Sequence, residues 1–100
     1  MAFQIQFEKQ ALEGFCRRWM VTEFSFFGSV LRSDFNPNSD VDVLVTFSAD
    51  ARWSLLDIMT MIEELKRIFG RDVDLVEQDA IRNPFRRHAI LTSREVVYAA

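Results

Sequence analysis

Asp40 and Asp42 flank Val41 at the start of an apolar run that continues through Val43, Leu44 and Val45. On a β-strand, side chains two apart share a face, so these two carboxylates stand side by side. Neighbouring carboxylates repel, and taking both out of water without a cation is costly. A hard divalent ion with oxygen ligands is the simplest compensating partner. Asp74 is the natural third ligand, since it alternates with Val73 and Leu75 in another short apolar run. Asp72 repeats the spacing with Asp74, but it lies at the edge of that run and reads as solvation of the strand start. The three carboxylates Asp40, Asp42 and Asp74 offer enough oxygens for two Mg2+ ions, with positions left for water and phosphate. Such a two-metal site sharpens an attacking oxygen and stabilises the leaving oxygen of an in-line displacement at phosphorus.

Gly28 and Ser29 supply what a phosphate would need. They follow an aromatic-rich run, Phe24 to Phe27, that reads as a strand. Glycine there permits a tight turn and close approach of a ligand to the backbone. Backbone N–H groups at the turn, together with the Ser29 hydroxyl, suit a triphosphate tail, and Arg32 places a positive charge nearby. Alone, a Gly-Ser pair after a strand is most often just a turn, and an isolated D-x-D is most often an exposed polar face. Their conjunction in one short chain is what points to phosphoryl chemistry.

The elements that must position these residues follow from periodicity. Ala11, Leu12, Phe15, Cys16 and Trp19 repeat at helical spacing across residues 7–19, after a frayed lead-in at residues 1–5. Cys16 on that apolar stripe reads as a core residue, because no His or second Cys is placed to activate its thiol. Residues 23–27 form a strand, 30–33 a short helix, and 34–39 a chain reversal containing Asn36, Pro37 and Asn38. Residues 40–47 are the second strand. Ser54 and Asp57 form a capping box, with Asp in the usual place of Glu, for a helix reaching about Phe69. Its apolar face is expected to comprise Leu55, Ile58, Met59, Ile62, Leu65 and Phe69, and Gly70 supplies the stop. Residues 72–77 alternate as a third strand. Asn83 caps a helix with Pro84 at its first position, running to about Leu91, and residues 95–98 make a last strand. The expected whole is one small α/β (α+β) domain over residues 1–100, with three to four strands and helices on one face.

Composition narrows the function. The formal charge of −3 disfavours non-specific binding to nucleic acid, whose affinity comes mostly from phosphate neutralisation. Residues 1–50 hold four Lys/Arg against seven Asp/Glu, while Arg82, Arg86, Arg87 and Arg94 gather near the end. Arg86, Arg87 and His88 read as a solvated helix face without a catalytic role. The single cysteine excludes an internal disulfide, and no zinc-ligand spacing occurs. With no apolar stretch approaching a membrane span and no cleavable leader pattern, a soluble cytoplasmic protein is expected.

Gly28 and Ser29, then Ser39, Asp40 and Asp42, then Val73, Asp74 and Leu75 together resemble the nucleotidyltransferase superfamily of DNA polymerase β. Within it the chain is similar to the minimal nucleotidyltransferases, and the resemblance runs from the first helix through the last strand. It implies a polymerase β-like core in which Gly28, Ser29, Arg32 and Ser39 bind nucleotide. Asp40 and Asp42 would bind both Mg2+ ions, and Asp74 would bind one and help activate the acceptor hydroxyl. The arginine that often follows the Gly-Ser pair is Val30 here, with Arg32 two residues on. The resemblance further implies an antitoxin that transfers AMP from ATP to a tyrosine of a partner HEPN-type helical toxin, releasing pyrophosphate, in a hetero-oligomer. Large apolar residues outside clear core positions (Phe35, Trp53, Met61 and Phe85) suit a partner-binding surface, although Phe35 and Trp53 equally well cover the core from loops. With no second domain expected, a partner would complete the acceptor site. Two other functions are compatible with the residues: an idle antitoxin that neutralises by contact alone, and a transferase acting on a small hydroxylated molecule such as an antibiotic.

Overall fold

The computed structural model describes residues 5–32, 35–36 and 38–100. Residues 1–4 of the expected frayed lead-in, and Ser33, Asp34 and Pro37 of the short helix and turn, lie outside the described residues, while Ile5, the last residue of that lead-in, is buried in the core. Helix α1 spans Lys9–Arg18, α2 Leu55–Phe69 and α3 Pro84–Ser93; strands are β1 Val21–Phe27, β2 Val41–Phe47, β3 Val73–Glu77 and β4 Glu95–Ala99. The sheet order is β3-β2-β1-β4. β1 runs antiparallel to both β2 and β4, whereas β3 lies parallel to β2. Parallel neighbours need a crossover connection, and α2 provides it.

Local signals set the ends of these elements. Ser54 accepts from the Asp57 backbone N–H, and the Asp57 carboxylate accepts from the Ser54 N–H, closing the capping box. Gly70 adopts φ +72°, the left-handed conformation that ends α2. Asn83 accepts from the Phe85 and Arg86 N–H groups, with Pro84 at the first helical position.

Alternation along the strands gives the sheet two faces. Phe24, Phe26, Val41, Val43 and Val45 pack with Leu12, Phe15 and Cys16 of α1 and Met61, Leu65 and Phe69 of α2. Edge-to-face ring pairs bind this layer, with Phe26 and Phe69 centroids 5.5 Å apart and Phe15 and Phe24 6.1 Å apart. Phe27 and Leu44 point the other way and meet Ile81 and Ile90, so α3 covers the opposite face. Helices therefore lie on both faces of the sheet, where the sequence suggested one. The cause is Ile90 on α3, which needs an apolar partner and finds Leu44.

Two expectations about α2 also change. Met61 is fully buried, not a spare surface residue, whereas Leu55 and Met59 are 75 % and 53 % exposed. Apolar residues occupy so wide an arc of this helix that periodicity alone does not choose the buried stripe. Phe35 and Trp53 pack against the core rather than standing free, and Trp53 Nε1 donates to the Trp19 carbonyl. Phe85 remains exposed.

Candidate active site

The β2–β3 register sets two of the three carboxylate residues opposite each other. Asp42 is paired directly with Asp74 across the parallel strands, so both side chains leave the same face at the same level. Asp40 is exposed and stands just before β2. Asp72 also lies outside its strand, where its carboxylate meets Lys66 at 3.5 Å, which accounts for it as a surface ion pair.

The Gly28 and Ser29 corner closes on Asp42. β1 ends at Phe27 and the chain turns through a single 3-10 segment, Gly28–Leu31. Gly28 has φ +68°, and a Cβ built there would lie 2.4 Å from Asp42 Oδ2. Only glycine satisfies both the backbone conformation and the approach of that carboxylate. Ser29 donates to the same oxygen twice, through its backbone N–H at 3.2 Å and its hydroxyl at 3.2 Å, and the hydroxyl also lies 3.1 Å from the Asp40 carbonyl. The donors expected to face a phosphate are here turned onto Asp42. The Asp42 carboxylate is the strongest acceptor within their reach.

The donor set suits a hard cation. Asp40, Asp42 and Asp74 offer only carboxylate oxygens, and none has an ion-pair partner among the described residues. Among the described residues, no three Asp, Glu, His or Cys side chains already converge on one point. Asp40 and Asp74 are exposed, whereas Asp42 is half-buried and held by Ser29. A cavity of about 460 Å3 adjoins the corner, lined by Gly28, Leu31, Arg32, Ser93 and Glu95. Arg32 thus opens on the same space as Gly28. Ser39 instead closes a turn, its hydroxyl accepting from the Asn36 N–H at 3.2 Å. A second cavity, about 410 Å3, lies at the far end of β2 beside Phe47 and Trp53, away from these carboxylates.

The nucleotidyltransferase domain family matches residues 8–97. The chain belongs to that family. Protein adenylyltransferase MntA of Thermococcus cleftensis is 36 % identical over 81 residues, which are 81 % of this chain and 77 % of that one. Among solved structures, a toxin–antitoxin crystal structure with AMP-PNP superposes with a TM-score of 0.73 at 19 % identity, covering 93 % of this chain and 74 % of that chain. A tri-AMPylated HEPN toxin from Shewanella oneidensis in complex with its MNT antitoxin matches with a TM-score of 0.64 at 17 % identity, covering 92 % of this chain and 70 % of that chain. At those identities the likeness to the two structures is one of fold.

Three residues of this nucleotidyltransferase near the site carried no signal in the sequence. Ser93 and Glu95 reach the cavity from the α3–β4 junction, and Arg71 spans the turn before Asp40. Cys16 is buried, and burial pushes its thiol up to about 12, with Glu13 adding to the rise and Arg17 opposing it. It is a core side chain, as expected. His88 is exposed on α3, but Arg87 beside it donates to the Gln78 carbonyl at 2.8 Å and so ties α3 to the segment after β3. No helix among the described residues is long and apolar enough to cross a membrane.

Proposed function

We propose that this chain is a Mg2+-dependent protein adenylyltransferase that moves AMP from ATP onto a tyrosine hydroxyl of a HEPN-type toxin and so acts as its antitoxin. The observation that carries the reading is the Asp42–Asp74 rung, with Asp42 pressed against the Gly28 and Ser29 corner. The 36 % identical protein adenylyltransferase supports the reaction, and the fold shared with antitoxins in HEPN complexes supports the partner.

The reaction joins the acceptor oxygen to the α-phosphorus while the bond from that phosphorus to the β-phosphate bridge breaks and pyrophosphate leaves. Asp40, Asp42 and Asp74 would hold the metal, and a carboxylate oxygen of Asp74 would take the proton of the attacking hydroxyl. Bound Mg2+ supplies charge neutralisation along the triphosphate and activation of the attacking oxygen. Ser29 now donates through its N–H and hydroxyl to Asp42, and once that carboxylate turned to the metal the two donors beside Gly28 would be released to orient the phosphates. Arg32 adds a positive charge at the rim of the adjoining cavity, whose size suits a nucleotide. Leu55, Leu56 and Met59, all exposed on α2, are the apolar surface offered to the partner protein; Phe85, also exposed, belongs to α3 on the other side of the sheet.

Incubation with the HEPN-type partner, Mg2+ and α-labelled ATP tests this directly. Label on a partner tyrosine, lost with Asp42→Asn or a chelator, is the expected result. Neutralisation that persists when Asp40 and Asp42 are both changed to Asn would mean that contact alone suffices. Label on a small hydroxylated compound without a partner protein would overturn the protein acceptor.

A further inference from the structure

We infer that Arg71 is a positioning residue for this site, a clamp that sets where Asp40 enters β2 relative to Asp74 in β3. The inference rests on the metal-binding reading above. Asp40 and Asp42 follow a turn at residues 36–39, and Asp74 follows the end of α2 at Gly70. Two chain segments far apart in sequence must therefore arrive in register at one end of the sheet. Arg71 is where they touch.

Its guanidinium does three things at once. Nη1 lies 3.0 Å from the Asn36 carbonyl and 3.4 Å from the Ser39 carbonyl, so it bridges the two ends of the turn. Its carbon centre sits 4.6 Å from the centroid of the Phe35 ring, a cation–π contact that holds the planar group over the turn. The turn itself is knitted from within. Ser39 N–H donates to the Asn36 carbonyl at 2.9 Å, and Asn38 N–H to Asn36 Oδ1 at 2.9 Å. Arg71 thus grips a preformed unit. On its own side it lies one residue after the left-handed Gly70 and one before Asp72, whose carbonyl accepts from the Val41 N–H at 2.9 Å.

The placement matters because of what each carboxylate has to hold it. Asp42 is fixed by β2 and by Ser29, and Asp74 by β3. Asp40 precedes the strand, and its known tether is a backbone one, the Ser29 hydroxyl on its carbonyl. One residue upstream, the Ser39 carbonyl belongs to Arg71. Loosening that grip frees the Asp40 carboxylate while leaving the Asp42–Asp74 rung in place. Groups that orient metal ligands rather than bind the metal typically alter metal affinity about 10–100-fold.

The test uses Mn2+ as the metal probe, read by electron paramagnetic resonance with AMP-PNP present, on the full chain and the Arg71→Ala, Arg71→Lys and Phe35→Leu variants. Arg71→Ala is expected to weaken Mn2+ binding on the order of tenfold. Arg71→Lys falls between, since it keeps the charge and one donor but loses the planar fork, and Phe35→Leu shows a smaller loss. Hydrogen exchange gives a reading that needs no metal: amides at residues 38–41 exchange faster in Arg71→Ala while those of β3 keep their protection. Unchanged exchange at residues 38–41 in folded Arg71→Ala overturns the clamp, as does unchanged Mn2+ affinity in both Arg71 variants. If Arg71→Ala does not fold, Arg71→Lys and Phe35→Leu carry the same comparison. A wild-type chain that binds neither Mn2+ nor AMP-PNP overturns the metal-site reading instead, and the exchange result then decides the clamp alone.

Discussion

Gly28 and Asp42 touch so closely that a methyl group on the glycine would sit 2.4 Å from the Asp42 carboxylate. The obstructing atom is the end of a side chain, so Gly28→Ala leaves room for the fold but displaces Asp42. The left-handed φ of +68° adds roughly 1–2 kcal/mol of backbone strain. A modest fall in melting temperature is expected, with a much larger loss of AMP transfer, about a hundredfold for a ligand misplaced by an ångström or so. Parallel thermal melts and label-transfer assays check the separation. Equal losses in both would place the glycine's role in folding alone.

Asp42 and Asp74, facing each other on one rung, should cost stability as well as supply function. Like charges directly opposite are unfavourable, by about 0.2–1 kcal/mol for a cross-strand pair. Asp74→Asn is therefore expected to raise the melting temperature by a few degrees without metal, while AMP transfer falls at least about a hundredfold. Asp72→Asn keeps its activity, since that carboxylate pairs with Lys66 at the surface. Melts with and without Mg2+ extend the comparison, because Mg2+ stabilises the wild type more than Asp74→Asn.

Leu56 and Met61 separate binding from folding on one helix. Met61 is fully buried and Leu56 is 73 % exposed. Met61→Ala is expected to cost about 2–5 kcal/mol of stability. Changing Leu55, Leu56 and Met59 together to Ser should move stability by no more than about 0.5 kcal/mol per site. The same triple variant should weaken binding to the proposed HEPN-type partner, measured by calorimetry. Full-strength binding by a folded triple variant would move the partner surface elsewhere.

Cys16 ties stability to alkaline pH. Its folded thiol titrates near 12 against a reference of 9.0, so between those values the folded chain keeps a proton that the unfolded chain has lost. The contribution is complete below about pH 9 and declines as pH rises toward 12. Melting temperature is expected to fall across that window, less steeply in Cys16→Ala. The native thiol should also resist iodoacetamide at neutral pH and react once the chain is unfolded.

What the amino-acid sequence determined on its own was everything set within a few residues. The Ser54 and Asp57 capping box, the Gly70 stop and the Asn83 and Pro84 helix start are all of this kind. Each is a contact or dihedral between near neighbours, so residue type suffices to specify it. The tertiary structure decided which apolar arc of α2 turns inward, because Leu55, Met59, Met61 and Leu65 are equally apolar and only the sheet beneath chooses among them. It also decided that α3 covers the second face, through Ile90 against Leu44, and that Arg71 reaches the turn at residues 36–39. The Asp42–Asp74 rung belongs to the same class. Two acidic residues 32 positions apart meet because α2 carries the chain back parallel to β2, a pairing that no local preference encodes.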